Sequence, residues 1–177
     1  PYGCSKGAAD QYIRDYARIY DLPTIVFRMS CIYGPRQFGN EDQGWVAWFC
    51  IAAELGKPVT VYGDGKQSRD LLHVDDLVEA YRAVVAHADE VAGQAFNVGG
   101  GKDCVLSVNQ LVEMLRADLL EVSYAEERPG DQKVFVSNNT KLEQVTGWTP
   151  AIDVKEGVKS LREWITNERE MLARYLA

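Results

Sequence analysis

Tyr2 and Lys6 stand four residues apart in PYGCSK, at the head of a run whose apolar positions Ala8, Ala9, Tyr12, Ile13, Tyr16, Ala17 and Tyr20 recur at helical spacing. Residues i and i+4 share a helix face, so a phenol and an ammonium would be neighbours there. A nearby positive charge favours the phenolate and lowers a pKa that is about 10 when unperturbed, which suits Tyr2 to exchange a proton near neutral pH. The spacing by itself is a common coincidence, and the competing reading is the start of an ordinary amphipathic helix.

The elements that would hold this pair follow from periodicity. The first helix runs from Tyr2 to Tyr20 and ends before Pro23, and the β-rich, apolar TIVFR at 24–28 predicts a strand buried on both faces of a parallel sheet. After the turn-rich YGPRQFGNEDQG, Trp45 to Leu55 predicts a helix closed by Gly56 and Pro58. VTVYGDGKQSRDLLHV predicts two short strands around a Gly-Asp-Gly turn, in the manner of a hairpin. Val74 to Ala88 predicts a helix with Asp75 and Asp76 at the positive end of its dipole. QAFNVGGG predicts a strand entering a glycine turn, and Ser107 a cap for a helix over 108–119. Short strands are expected at VSYA and VFV, and helices at 140–145 and 154–176, separated by GWTP.

Composition narrows the possible functions. A formal net charge of −7 and a pI near 4.9 argue against a nucleic-acid surface, which needs a basic patch to replace counterions. The 46% hydrophobic and 25% charged content excludes wholesale disorder and suits one domain or a piece of a larger one. Cys4, Cys31, Cys50 and Cys104 form no CxxC pair, and His73 and His87 lack ligand spacing. Neither a metal site nor a disulfide framework is therefore expected, and a reducing cytoplasm fits. No apolar run approaches about 18 residues, so no membrane partner is expected.

The ordered set PYGCSK, FRMSCIYGPRQ, GKPVTVYGDGKQSRDLLHVDDL, FNVGGG, ERPGD and GWTP resembles the extended short-chain dehydrogenase/reductase family of NAD-dependent nucleotide-sugar epimerases and dehydratases. The resemblance covers nearly the whole chain. It implies an α/β fold: the C-terminal part of a Rossmann-type doubly wound sheet over 1–33, then a small α+β nucleotide-sugar-binding domain over 34–177, some of whose segments can return to the sheet. The family's glycine-rich phosphate loop and catalytic Ser/Thr would precede residue 1. The chain therefore reads as a C-terminal fragment, inactive alone and weak in NAD binding, while the intact protein would be a homodimer. The triple glycine at 99–101 lacks GxGxxG spacing and reads as a turn.

Residue by residue, the resemblance implies that Tyr2 is the catalytic acid/base and that Lys6 lowers its pKa and holds the nicotinamide ribose. Arg69 and Arg128 match positions that bind the nucleotide diphosphate, for which a planar charged fork is suited, although surface ion pairs are the plainer alternative. Arg36 could reach sugar or phosphate, Asp131 matches a position near the ribose, and Trp45 and Val61 are expected at the ligand. Trp48 is expected in packing. Cys31 replaces the usual Asn, so its contact with sugar or cofactor must differ; a buried inert thiol is the alternative. The stretch SCIYGPRQFGNEDQGWVAWF further resembles the CDP-paratose 2-epimerase branch. That branch implies conversion of CDP-paratose to CDP-tyvelose by transient oxidation at C2. A 4-epimerase, a 4,6-dehydratase, or a non-catalytic nucleotide-sugar-binding piece remain alternatives.

Overall fold

The computed structural model describes residues 1–115 and 120–176. Helix α1 (Tyr2–Tyr20) leads into β1 (Val26–Met29) and β2 (Cys31–Tyr33), and an eleven-residue loop then reaches α2 (Trp45–Leu55). Strands β3 (Val59–Tyr62) and β4 (Ser68–His73) precede helices α3 (Val74–Ala86) and α4 (Ala88–Val91). Then come β5 (Ala95–Val98), a 3-10 turn (Lys102–Cys104), β6 (Val105–Ser107), α5 (Val108–Leu115), β7 (Val122–Ala125) and β8 (Val134–Phe135). Helices α6 (Thr140–Thr146), α7 (Val154–Asn167) and α8 (Arg169–Tyr175) complete the described chain. The expected extension of α5 across 116–119 lies outside the described residues.

Among the described strands, β1 pairs with β5, β2 with β4, β3 with β7 and β4 with β8, all parallel, whereas β4 and β6 run antiparallel. Strands β3 and β4 therefore do not form the expected hairpin with each other. Gly63 and Gly65, both at positive φ, turn the chain away, and Asn109 fixes that turn by donating from Nδ2 to the Asp64 carbonyl at 2.9 Å.

Strand β1 also departs from expectation. Val26 is buried, but Arg28 and Met29 are exposed, and Arg28 donates to Asp10 of α1 at 2.6 Å rather than facing a second packed layer. Among the described residues the strand is paired on one edge, by β5 along its full length, and its other edge is unpaired.

Two apolar clusters organise the rest. The larger gathers α2, β3, α5 and α7 around Ile51, Val61, Leu111 and Leu161; the smaller gathers β5, α3 and α6 around Phe96, Ala80 and Leu142. Asp76 joins α3 to the GWTP segment, because its carboxylate accepts the Ala151 and Ile152 N–H groups at 3.1 and 3.0 Å and its carbonyl accepts the Trp148 indole. Asp75 remains near the helix start, while His73 caps α3 by accepting the Asp75 N–H through Nδ1.

Ser107 caps α5 as expected. Gln110 closes the motif from the other side, accepting the Ser107 N–H at 2.8 Å. The last expected helix is broken at Glu168, where Thr166 and Arg169 both turn to Glu54 of α2 and Leu172 is brought into the core. The glycines after β5 are more than a turn. A Cβ on Gly100 would collide with the Leu71 carbonyl, so this glycine permits close approach of the loop to β4.

Candidate functional site

A cavity of about 400 Å³ opens where the first turn of α2 faces β3 and the 128–131 loop. Its walls include Trp45, Val61, Arg69, Arg128 and Asp131, five residues for which the family resemblance implies a place at a ligand.

 The five residues are dispersed between positions 45 and 131, and folding makes them neighbours. Arg69 and Asp131, 62 residues apart in sequence, are in direct contact.

Each wall has a local cause. Gly44, at φ 71, starts α2 in the left-handed region, and no side chain caps the helix. The first intrahelical bond is Trp48 N–H to the Gly44 carbonyl, and the start of the helix, the positive end of its dipole, borders the cavity through Gly44 and Trp45. Arg69 projects from β4 and is held by two bonds, from Nη1 to the Ser68 carbonyl at 3.0 Å and from Nη2 to Asp131 Oδ1 at 2.9 Å.

Arg128 is placed differently. Its guanidinium lies 4.0 Å from the centre of the Tyr62 ring, and Nη2 is 3.3 Å from Asp42 Oδ1. The Tyr62 hydroxyl donates to Glu41 at 2.7 Å, while its carbonyl accepts from Gln67 at 2.8 Å. Tyr62, Glu41, Asp42 and Gln67 were not singled out from sequence. Tyr62 had a signal, because it alternates with buried Val59 and Val61 on β3. The acidic pair of the 40–43 turn read simply as loop.

Cys31 is not in the cavity wall; like Trp45, it is half-buried against the larger apolar cluster. Burial pushes its thiol up to about 11, with Trp45 and Arg69 pulling partly back, so it is a neutral thiol at ordinary pH. Arg36 is exposed, at φ 69, and is absent from the cavity wall. Trp48 is half-buried against the larger apolar cluster. Tyr2 and Lys6 also stand apart from the cavity: Tyr2 is 73% exposed on the first turn of α1, with Lys6 Nζ 5.5 Å from its ring centre.

A model of the NAD dependent epimerase/dehydratase family matches residues 1–99. The chain belongs to this family. Within the family it is 42% identical over 175 residues to CDP-paratose 2-epimerase of Salmonella typhi, across 94% of this chain and 52% of that protein. It is 31% identical over 182 residues to dTDP-glucose 4,6-dehydratase of Neisseria gonorrhoeae, across 96% of this chain and 51% of that protein. Among solved structures, UDP-glucose 4-epimerase from Thermotoga maritima with UDP-glucose superimposes with a TM-score of 0.84 at 32% identity, across 97% of this chain and 54% of that one. The chain thus spans about half the length of the curated relatives it matches, and its architecture is the Rossmann-type α/β fold of these epimerases and dehydratases. No helix among the described residues is long and apolar enough to cross a membrane.

Proposed function

We propose that the protein carrying this chain is an NAD-dependent nucleotide-sugar epimerase that converts CDP-paratose to CDP-tyvelose by transient oxidation at C2. The observation that carries the reading is the convergence of Arg69, Arg128 and the uncapped first turn of α2 on one cavity, three anion-binding devices suited to a diphosphate. The 42% identity to a CDP-paratose 2-epimerase supports the choice of sugar and nucleotide. In this reading Asp131 orients Arg69 and approaches the ribose, Val61 and Trp45 border the nucleotide, and Cys31 packs on the same apolar cluster as Trp45. Residues 1–33 belong to the NAD-binding domain, and β5 joins them through its pairing with β1.

Tyr2 and Lys6 suit the cofactor's chemistry. Bound NAD supplies the hydride acceptor and donor. Tyr2 takes the proton of the sugar hydroxyl and later returns it, and Lys6 stabilises the phenolate and holds the ribose. The exposed α1 residues Tyr12, Tyr16 and Ile19 support a homodimer, and four free cysteines suit a cytoplasmic setting.

The test is to incubate the protein at its natural length with NAD and CDP-paratose and to assay CDP-tyvelose. Formation of CDP-tyvelose, lost in Tyr2→Phe, is expected. Activity on a UDP- or dTDP-hexose with none on CDP-paratose would instead favour the 4-epimerase or 4,6-dehydratase reading that the other relatives suggest.

A further inference from the structure

We propose that Phe38 is a positioning residue for the nucleotide site, clasped by Trp164 and Tyr175 so that the 40–43 turn is held across the cavity mouth; the link to nucleotide affinity rests on the reading above. The turn is self-contained. Asn40 and Gln43 exchange backbone bonds at 2.9 and 3.3 Å, and Asn40 Oδ1 accepts the Asp42 and Gln43 N–H groups, each at 3.0 Å. From it Glu41 reaches Tyr62 of β3 and Asp42 reaches Arg128, so the turn is tied to both β3 and the 128–131 loop.

What fixes the turn relative to the body of the protein is less obvious, because Glu41 and Asp42 are exposed and such contacts are individually weak. Phe38, two residues earlier, points elsewhere. It is not in the cavity wall, and its ring lies edge-on to Trp164 at 5.8 Å and to Tyr175 at 5.0 Å. Those partners are firmly based: Trp164 packs on the larger apolar cluster, Leu172 is fully buried, and Lys57 Nζ donates to the Leu176 carbonyl at 2.8 Å. Gly39 then lies so close to the Trp48 N–H that no Cβ fits, which transmits the position of Phe38 to the start of α2. An aromatic side chain 40% exposed on a polar loop is thereby accounted for.

The experiment combines calorimetric titration of the chain with cytidine 5′-diphosphate and amide hydrogen exchange without ligand. Phe38→Ala is expected to weaken binding about tenfold, Tyr175→Ala about threefold, and Phe38→Tyr less than about twofold. Exchange at Asp42 and Gln43 should accelerate in Phe38→Ala while the interior of α2 keeps its protection. Unchanged exchange at Asp42 and Gln43 would overturn the proposal, as would affinity that follows only the loss of thermal stability. Should the unaltered chain not bind the nucleotide, the functional reading fails, and the exchange data alone decide the role of Phe38. Tyr175→Ala, at an exposed position remote from the cavity, provides the same comparison if Phe38→Ala does not fold.

Discussion

Helices α1 and α2 make opposite use of apolar residues. Seven of the eleven residues of α2 are buried, and the helix is seated on β3, α5 and α7 with one uncapped end left at the cavity. Helix α1 is longer, at nineteen residues, and buries none; Tyr12, Tyr16, Ile19 and Tyr20 all remain exposed. Both sequences are amphipathic or apolar enough to fold as helices, but only α2 has its complementary surface within the described residues. The lesson is that the cavity at the start of α2 is organised by packing, whereas Tyr2 and Lys6 stand on a helix that buries no residue; under the proposed function these would serve nucleotide and cofactor respectively.

The largest expected effect tests that contrast directly. Ile51→Ala should cost about 3–4 kcal/mol in denaturant unfolding, because Ile51 is fully buried at the centre of α2. Tyr16→Ala should cost about 0.5 kcal/mol or less, as expected of an exposed position. Comparable losses from the two would erase the difference between the helices.

The second effect concerns the thiols of the two regions. The Cys31 pKa is raised from 9.0 to about 11 by burial, so the folded state keeps its proton where the unfolded state has lost it. Its contribution to stability is therefore present below about pH 9 and is lost as pH rises towards 11, by about 2–3 kcal/mol at most. Replacing Cys31 by Ala should flatten the stability profile over that window. In the same molecule Cys4 is exposed on α1, and at pH 8 it should react with iodoacetamide well before Cys31. Equal labelling of both would contradict the burial of Cys31 against the larger apolar cluster.

The smallest effect is on association. The apolar stripe of α1 should make the chain self-associate in light scattering as concentration rises, and Tyr12→Ser with Tyr16→Ser should reduce it. A monomer at every concentration would remove the support that α1 lends to a homodimer.

Much of the fold was legible because helical periodicity and glycine or proline stops are local. The bounds of α1 and α2 follow from them, as does the Ser107 cap. Pairing was not legible: β3 and β4 look like a hairpin, yet each finds parallel partners far along the chain. The break at Glu168 also escaped, since it depends on Glu54 of another helix. In the site, Arg69 and Arg128, each near a glycine turn, could be singled out by chemistry and resemblance. The Glu41–Tyr62 and Asp42–Arg128 contacts could not, because they arise only when the 40–43 turn meets β3 and the 128–131 loop.

The most direct test of the cavity as a nucleotide diphosphate site is calorimetric titration of cytidine 5′-diphosphate into the chain and its Arg69→Ala variant. The account predicts saturable binding by the unaltered chain and a loss of roughly 30- to 100-fold in the variant. No binding by the unaltered chain, or equal affinity in both, would contradict it.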